Sequence, residues 1–420
     1  MIYNIHDKPP IGKTILFAIQ MVLAVFVASV LIAQICGVPT SGALVGAGLS
    51  TLTYILITRG NSPMFISNSG NFVAPVIMAL SIGGFLGVAI GGLTTCIVYC
   101  IFGLIFTKVS VDNIYKIFPK ALIGAVTVVI GVTLMGFITT YLQINGEINM
   151  WGVSVAFVTM FAIALISHYA KGILRILPFI VGILIGYVYA TILTLTGVCN
   201  IIDFNVFNGM TLFTVPDFAF IHWEHIELTA IVPIVVTYIC YTISAMMEAL
   251  SDHAALGNII GTDLFKTAGL NRIFCAEGVA NLVGTCVGGL NTCSYGEGVA
   301  TVGFSKVASV RVTACAAVIL ALLGCFTPVQ MFIASIPSCV FAGAAVILYG
   351  FIACSGIKML QKVDFDIQKN LIIVSAVLSV GLGGIVVGGS TLSFTGTALA
   401  LIVGVILNVI LTNKHEKENC

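Results

Sequence analysis

Fourteen mostly apolar stretches, most of them about 20 residues long, fill nearly the whole of this 420-residue chain. Hydrophobic side chains make up 59% of the residues and charged side chains only 8%, whereas a soluble domain carries about 25% charged residues. Continuous apolar runs of this length cross a bilayer as helices, whereas membrane β-barrels alternate apolar with polar residues. The sequence therefore predicts an all-α polytopic membrane protein. The predicted segments are 14–36, 39–58, 63–81, 84–107, 119–142, 150–168, 173–198, 228–256, 272–289, 291–305, 311–330, 333–356, 370–387 and 390–412.

The basic residues predict which side of the membrane each loop occupies. With fourteen crossings, all 17 Lys and Arg residues fall on the side of the N-terminus, and such residues are enriched in cytoplasmic loops. The longest opposite loop, 199–227, carries Asp203, Asp217, Glu224 and Glu227 instead. We therefore expect a multi-pass protein of the plasma membrane (a bacterial inner membrane) with both termini in the cytoplasm. A count that was wrong by one segment would scatter the basic residues over both sides.

Segments 3 and 10 differ from plain helices. Segment 3 runs through Ser67–Asn71 (SNSGN) to Phe72 and Pro75, and segment 10 runs through Asn291–Gly296 (NTCSYG) into Glu297. The third and tenth positions are equivalent if the chain is two repeats of seven, and an odd number of spans forces the repeats to be inverted. Paired broken segments at matching positions indicate a transporter site near the membrane midplane, because non-helical backbone at that depth must be covered by protein or water. The alternative is a pair of kinked, Gly-rich helices without a ligand.

Two glutamates, Glu248 and Glu297, lie in apolar segments whose interiors contain no Lys or Arg. A charged carboxyl group at the centre of a bilayer costs about 2.5–3.5 kcal/mol, so it is rarely there without a function. These side chains must face a wet cavity, hold a proton or bind a ligand. Burial favours a protonated carboxyl group, and Asp252, four residues after Glu248 on the same helix face, adds to this when it is ionised. Glu248, Glu297 and Asp252 are therefore the predicted proton-coupling residues.

Structural alternatives exist for these acidic residues. Glu248 could be a permanently protonated carboxyl group that hydrogen-bonds a neighbouring helix, and Asp252 could reach the cytoplasmic interface beside His253. Glu277 in segment 9 lies close to Arg272 in sequence, and the sequence assigns it no role.

The ligand that such a site favours is a planar, uncharged heterocycle. A half-helix after Gly296 would offer free N–H groups to a carbonyl oxygen, and Phe72 could offer a backbone N–H group and an aromatic face. Glu248 and Glu297 would accept N–H groups, while Tyr295 is either a ligand contact or a packing residue. A nucleobase combines such donors and acceptors on one ring. An inorganic anion is disfavoured because two carboxylates would repel it and no Lys or Arg is available to hold it.

Four stretches resemble the nucleobase–cation symporter family (nucleobase/ascorbate transporters), most closely its bacterial uracil permease branch. They are Ser67–Pro75 (SNSGNFVAP), Glu248 with the downstream GNIIGTDLFKTAGLNRIF, the NTCSYGEG stretch that contains Glu297, and Ile336–Leu360 (IPSCVFAGAAVILYGFIACSGIKML). The spacing between them is also similar, so the resemblance covers nearly the whole chain. By position, it implies that the base-binding residues are Phe72 (backbone), Glu248, Tyr295, Gly296 (backbone) and Glu297.

The resemblance also implies the architecture and the mode of transport. It implies fourteen spans in two inverted repeats, with a core domain (1–110 and 228–331, segments 1–4 and 8–11) and a gate domain (111–227 and 332–420, segments 5–7 and 12–14). It further implies a homodimer, and symport with a proton or sodium by an elevator-like movement of the core against the gate.

The chain departs from the family pattern at two places. The family usually continues the segment 10 acid or amide as Asn-x-Gly, with Thr-Arg several residues later, whereas this chain has Gly298-Val299-Ala300 and then Ser305-Lys306. Uracil permeases tend to carry His four residues after the segment 8 glutamate, where this chain has Asp252. Purine-transporting branches commonly have Gln at the position of Glu297, so the acid here is similar to the uracil branch.

The sequence therefore predicts a secondary transporter that imports a nucleobase, most specifically uracil, together with a proton; sodium as the coupled ion is the alternative. The alternatives are a xanthine-type purine or other heterocycle as substrate, or an anion exchanger built on the same plan. An enzyme is not expected, since no H-E-x-x-H motif, Cys/His cluster or phosphate loop is present. We expect no cofactor, no metal site and no nucleic-acid partner; the expected partners are the substrate, the lipid bilayer and a second copy of the chain.

Overall fold

Helices make up most of the computed structural model, which describes residues 1–105, 119–144, 147–171, 177–208, 211–385, 387–388, 393–394 and 396–411. Five residues used in the orientation argument, Lys108, Lys116, Arg175, Lys414 and Lys417, lie outside these ranges. The helices are α1 (Ile11–Cys36), α2 (Thr40–Ile57), α3 (Val73–Ile105), α4 (Lys120–Leu134), α5 (Ile138–Tyr141), α6 (Met150–Tyr169), α7 (Pro178–Leu195), α8 (Leu228–Ile260), α9 (Leu270–Gly288), α10 (Gly296–Ser305), α11 (Val310–Cys325), α12 (Thr327–Ser335), α13 (Ser338–Leu360), α14 (Gln368–Leu382) and α15 (Gly396–Leu411).

Several helices are long and apolar enough to cross a bilayer. Among the described residues seven candidates meet this criterion by length and composition, and four shorter apolar helices accompany them. The predicted helical membrane architecture is confirmed, while the count of fourteen crossings and the inversion of the repeats stay predictions. The seven candidates are Ile11–Cys36, Thr40–Ile57, Gly70–Ile105, Met150–Tyr169, Pro178–Leu195, Leu228–Ile260 and Ser338–Leu360.

Proline and glycine set several helix ends. Pro39, Pro119 and Pro337 stand directly before α2, α4 and α13, where a missing N–H group carries no penalty. Gly37 and Gly261 follow α1 and α8 in the left-handed conformation, which glycine adopts without steric cost. These local signals explain why the apolar runs stop where they do.

Helix α3 is broken at Gly84. Its backbone there has φ 55° and ψ −155°, a conformation that favours glycine. A Cβ on Gly87 would lie 2.8 Å from the carbonyl oxygen of Ala79, although eight residues of straight helix would separate these positions by about 12 Å. The chain therefore reverses at Gly84, and α3 consists of two helices that match predicted segments 3 and 4.

Two short strands meet in the interior of the protein. Strand β1 (Ile66–Asn68) pairs antiparallel with β4 (Thr292–Ser294), and Ser67 lies opposite Cys293. This confirms the extended stretches that the sequence predicts in segments 3 and 10. The other strands form two small hairpins, β2 (Gln143–Ile144) with β3 (Glu147–Ile148) and β5 (Val387–Gly388) with β6 (Ser393–Phe394).

Side chains satisfy the outer edges of the β1–β4 pair. The Thr51 hydroxyl accepts from the Ile66 N–H group at 3.1 Å, and the Asn281 amide donates to the Thr292 carbonyl oxygen at 2.7 Å. Such partners are needed because an unpaired backbone group away from water is costly. The irregular backbone is thus fixed by helices α2 and α9.

The helices pack in two groups. Helices α1, α2, α3, α8, α9, α10 and α11 pack mainly against one another, and α4, α6, α7, α13, α14 and α15 form the second group. Helix α2 packs on α11 as α9 packs on α3, and α6 packs on α7 as α14 packs on α15. The helices that correspond in these packings differ by seven when they are numbered by predicted segment: 2 with 9, 4 with 11, 6 with 13 and 7 with 14. This is the pairing that two repeats of seven segments would produce.

Small residues allow α2 and α9 to approach closely. A Cβ on Gly46 would lie 2.9 Å from the Gly288 Cα atom, which no real side chain tolerates without a shift. Close contact through small residues is a common way for helices to associate in membranes. Because α9 supports β4, this contact also positions the strand pair.

We expect Gly46→Ala to destabilise the protein by about 1–3 kcal/mol, because the added methyl group must push α2 away from α9. The measurement is the midpoint of thermal unfolding in detergent. The matched control is Gly350→Ala in α13, where nothing lies within 4 Å of the added Cβ. Equal midpoints for the two variants would contradict the proposed close contact.

Candidate functional site

Both strands of the β1–β4 pair lead directly into helices that begin inside the protein. After β1 a single turn, Gly70–Phe72, leads into α3, and after β4 the chain enters α10 at Gly296. The first N–H groups of a helix have no acceptor within the helix and carry a partial positive charge. The start of α10 therefore presents backbone donors, from Gly296 onwards, at the centre of the first helix group.

Glu248 lies on α8 beside this point. Glu248 is accessible to solvent although it lies deep among protein atoms. Its side chain therefore faces an open space within the helix bundle. The carboxyl oxygen Oε2 accepts a hydrogen bond from the Asn71 amide at 2.6 Å, and the Cys293 thiol lies 3.8 Å from the same oxygen. One carboxyl oxygen is thus held, which leaves Oε1 to face a ligand.

Glu297 lies in the first turn of α10 and lines a cavity of about 380 Å³. Its carboxyl group is close enough to that of Glu248 for the two to interact electrostatically. Within the described part of the chain, ion pairs join His222 to Asp217 and Lys266 to Asp263, and none reaches these two glutamates. The site therefore contains two acidic acceptors without a basic partner among the described residues.

The cavity lies between the two helix groups. Glu297, Ala300 and Phe304 of α10 form one wall, and part of α1 adjoins it. The start of α7, including Phe179, and Phe351 of α13 form the opposite wall. The ring centroids of Phe179 and Phe351 are 6.2 Å apart with the rings nearly perpendicular. The lining is apolar and aromatic except for the Glu297 carboxyl group.

Phe72 and Tyr295 are placed differently from Glu248 and Glu297. The Phe72 side chain is 1% exposed and its ring lies 6.0 Å from that of Tyr238, while its N–H group donates to the Ser69 carbonyl oxygen at 3.3 Å. Packing against α8 covers the Phe72 ring in this conformation, and the predicted contact of Phe72 with a ligand stays a prediction. Tyr295 is 5% exposed and its side chain interacts with Ser29, which favours the packing alternative.

Asp252 lies inside the bundle. It follows Glu248 by one helical turn, interacts with it electrostatically, and has one buried carboxyl oxygen without a hydrogen-bond partner among the described residues. The alternative that it reaches the interface beside His253 is not supported, since His253 is also buried. The His253 Nδ1–H donates to the Ala249 carbonyl oxygen at 2.7 Å, and Nε2 lies 2.6 Å from the Tyr54 hydroxyl.

The sequence assigns no role to four residues of the site: Asn71, Cys293, Phe179 and Phe351. Asn71 and Cys293 lie within the polar stretches of segments 3 and 10, so their presence near the site follows once the strands pair. Nothing in the sequence marks Phe179 and Phe351, because their position depends on how the two helix groups face each other. Among the described residues, no group of three or more His, Cys, Asp or Glu side chains is placed to hold a metal ion.

Comparison with solved structures identifies the fold. The structure is similar to the transmembrane domain of a cyanobacterium bicarbonate transporter, BicA, with a TM-score of 0.64 and 15% identity over 97% of this chain and 100% of that chain. It is also similar to SLC26A9, with a TM-score of 0.69 and 13% identity over 95% of this chain and 65% of that chain. At such low identity the likeness shows the fold alone.

Comparison with known protein sequences identifies the family. The chain is 33% identical to a uracil permease of Bacillus caldolyticus over 99% of its length and 96% of that protein. It is 31% identical to a uracil permease of Bacillus subtilis (strain 168), with the same coverage, and 30% identical to one of Escherichia coli (strain K12) over 97% of this chain and 93% of that protein. The model of the Permease family (Xan_ur_permease) matches residues 12–389. The chain therefore belongs to this family, as a multi-pass membrane transporter and not an enzyme.

Proposed function

We propose that this chain is a secondary active transporter that imports uracil together with a proton. The observation that carries the proposal is the pairing of Glu248 with Glu297 beside the free N–H groups of α10, without a basic side chain of the described residues to neutralise them. The three uracil permeases that share about a third of the sequence support the choice of substrate.

The chemistry of the site matches the edge of a pyrimidine base. Uracil presents ring N–H donors next to carbonyl acceptors on a flat, uncharged ring. The free oxygen of Glu248 and the carboxyl group of Glu297 accept the N–H groups, and the N–H groups at Gly296 and beyond donate to a carbonyl oxygen. The aromatic wall of the cavity, including Phe351, favours a planar ring over a hydrated ion.

An anion as substrate fits this site poorly, although the structures that share the fold include a bicarbonate transporter. Glu248 and Glu297 would repel an anion, and the described residues provide no ion-paired Lys or Arg beside them. A purine such as xanthine is the second candidate, since its six-membered ring also presents N–H donors beside carbonyl oxygens, and the uracil permeases among the relatives favour uracil over it. Uptake of labelled uracil, xanthine and sulfate into proteoliposomes separates the three substrates, and uracil should be the one taken up.

The Glu248 carboxyl group would couple the movement of the base to that of the proton. An ionised Glu248 is costly away from water, whereas a protonated one is neutral, so a carrier that holds the base without the proton crosses less readily than one that holds both. The two helix groups, with the cavity between them, provide a core (α1–α3 and α8–α11) and a gate (α4, α6, α7 and α13–α15) for an elevator-like movement. We further propose cytoplasmic termini, a plasma-membrane location and a homodimer.

Glu248→Gln should abolish accumulation of uracil against its gradient, because an amide cannot release a proton. Exchange of labelled for unlabelled base across proteoliposomes should also fall, since one N–H acceptor becomes a mixed donor and acceptor. The control is Glu224→Gln in the exposed loop before α8. Accumulation by Glu248→Gln equal to that of the parent would exclude the proton-carrying role.

Glu297→Gln should weaken uracil binding about 10-fold or more, the effect of losing one charge-assisted hydrogen bond of about 1.5–3 kcal/mol. The amide adds a donor, so the preference should shift towards purines. Competition of unlabelled uracil and xanthine against labelled uracil measures both effects. An unchanged competition profile would show that Glu297 does not contact the base.

Asn71→Leu should weaken uracil binding because it removes the amide that holds Glu248 Oε2 at 2.6 Å. Loss of a hydrogen bond to a charged group costs about 1.5–3 kcal/mol, or roughly 10-fold to 100-fold in affinity. The matched control is Asn258→Leu, an exposed asparagine of the same α8 helix that carries Glu248. If Asn71→Leu binds uracil as the control does, Asn71 does not orient Glu248.

A further inference from the structure

The start of the chain is paired with the linker that follows α10. Residues 2–7, the N-terminal arm, lie parallel to the linker 306–310, which joins α10 to α11. Three backbone hydrogen bonds of 2.7–3.0 Å connect the two: Ile2 N–H to the Lys306 carbonyl oxygen, Ala308 N–H to that of Tyr3, and Val310 N–H to that of Ile5. The arm is therefore docked at the end of α10 that is distant from Glu297.

Side chains reinforce the docking of the arm. Ile5 is only 8% exposed, and Ala308 of the linker is fully buried. The Ser309 hydroxyl, also buried, donates to the Asp7 carbonyl oxygen at 2.7 Å. By contrast, the Ile2 side chain is 64% exposed. Ile5 therefore anchors the arm, whereas Ile2 contributes to the contact through its backbone.

The linker also contacts the turn that leads into β1. A Cβ on Gly60 would lie 3.8 Å from the Val310 side chain. Just beyond the linker, the Thr313 hydroxyl of α11 donates to the Pro63 carbonyl oxygen at 3.2 Å. The N-terminal arm and the turn before β1 thus both hold the segment that follows α10.

The arm supports an unfavourable backbone conformation at the end of α10. Lys306, directly after α10, has φ 59°, the left-handed conformation that residues with a Cβ atom seldom adopt. Its N–H group closes α10 by donating to the Val302 carbonyl oxygen at 2.9 Å, and its carbonyl oxygen accepts from the arm. Release of the arm would also leave the N–H group of the buried Ala308 without an acceptor, which is costly. The linker is therefore expected to rearrange when the arm leaves.

Helix α10 connects such a rearrangement to the site. It contains only 10 residues and spans about 15 Å, so a shift at its end is carried to its beginning as a movement of one rigid element. Glu297 and the first N–H groups of α10 are the groups proposed to hold the base. The arm also continues into α1, which adjoins the same cavity. It therefore joins the ends of the two helices that form the core side of the cavity.

We propose that the N-terminal arm is a strap that positions α10, and that its docking on the linker raises the affinity of the site for the transported base. Tyr3 and Ile5 are positioning residues, which act on the base through the linker and α10. Because the arm is short and terminal, it can open without unfolding of the helix bundle. This inference rests on the proposed transport function, to which it adds a positioning element outside the cavity.

Ile5→Glu should release the arm, because burial of an unpaired carboxyl group is costly. We expect the Kd for labelled uracil on detergent-purified protein to rise about fivefold or more, with the number of bound molecules per folded chain unchanged. The matched control is Ile2→Glu, which places the same charge on an exposed side chain of the same arm. Equal Kd values for the two variants would overturn the inference.

Hydrogen exchange measures the docking of the arm directly. The amides of Ala308 and Val310 should exchange faster in Ile5→Glu than in Ile2→Glu. In the parent the same amides should exchange more slowly with uracil than without it, because a bound base strengthens the docking by the factor by which docking strengthens base binding. This second comparison needs no variant, so it decides the question if Ile5→Glu does not fold. Equal exchange with and without uracil would overturn the inference.

A parent that binds no uracil would contradict the proposed substrate and not the strap. The strap is then tested without a ligand, on the amides of α10 from Val299, whose N–H group donates to the Tyr295 carbonyl oxygen at 3.1 Å. These amides should exchange faster in Ile5→Glu than in Ile2→Glu, since α10 loses the support of its end. The same exchange along α10 in both variants would exclude the positioning role.

Discussion

The pairing of β1 with β4 inside the helix bundle is the interaction on which the rest of the site depends. Extended backbone in a membrane interior persists only when other groups satisfy its N–H and C=O groups, and here the two strands satisfy each other while Thr51 and Asn281 close the outer edges. Because these residues are extended and not helical, α10 starts in the middle of the protein and not at its surface. Its first N–H groups consequently lie in the protein interior near Glu248. In an uninterrupted helix these groups would donate to carbonyl oxygens of the preceding turn.

Local signals in the sequence account for what could be predicted. The polar stretches before Phe72 and Glu297 mark the broken segments, because apolar side chains and continuous helix are the default in a membrane. A glycine at position 84 separates segments 3 and 4, and its positive φ is the physical reason that the chain can reverse there. Glu248 and Glu297 could be identified as site residues from the sequence because each is an acid in an apolar segment without a basic neighbour. Such residues are rarely found in a membrane without a function.

Tertiary packing decides what could not be predicted. Asn71 and Glu248 are 177 positions apart, and nothing in either stretch specifies that the amide points at the carboxyl group. The Phe72 ring is aromatic in a site suited to a flat ligand, yet it packs against Tyr238 of α8, a contact between positions far apart in the chain. Conversely, Phe351 belongs to a plain apolar helix and enters the cavity only because the two helix groups face each other across it.

Asp252, and not the neighbouring His253, follows Glu248 by one turn of α8 and interacts with it electrostatically. The uracil permeases that this chain resembles tend to have His at the position of Asp252, one helical turn after the glutamate and on its face. Here the imidazole stands one residue later, about 100° further around α8, and is engaged by Ala249 and Tyr54. The position facing the strand is therefore an acid where a base would have been. Asp252 therefore interacts electrostatically with Glu248, Glu297 and Glu277, and neither of the ion pairs among the described residues supplies a positive charge to this group.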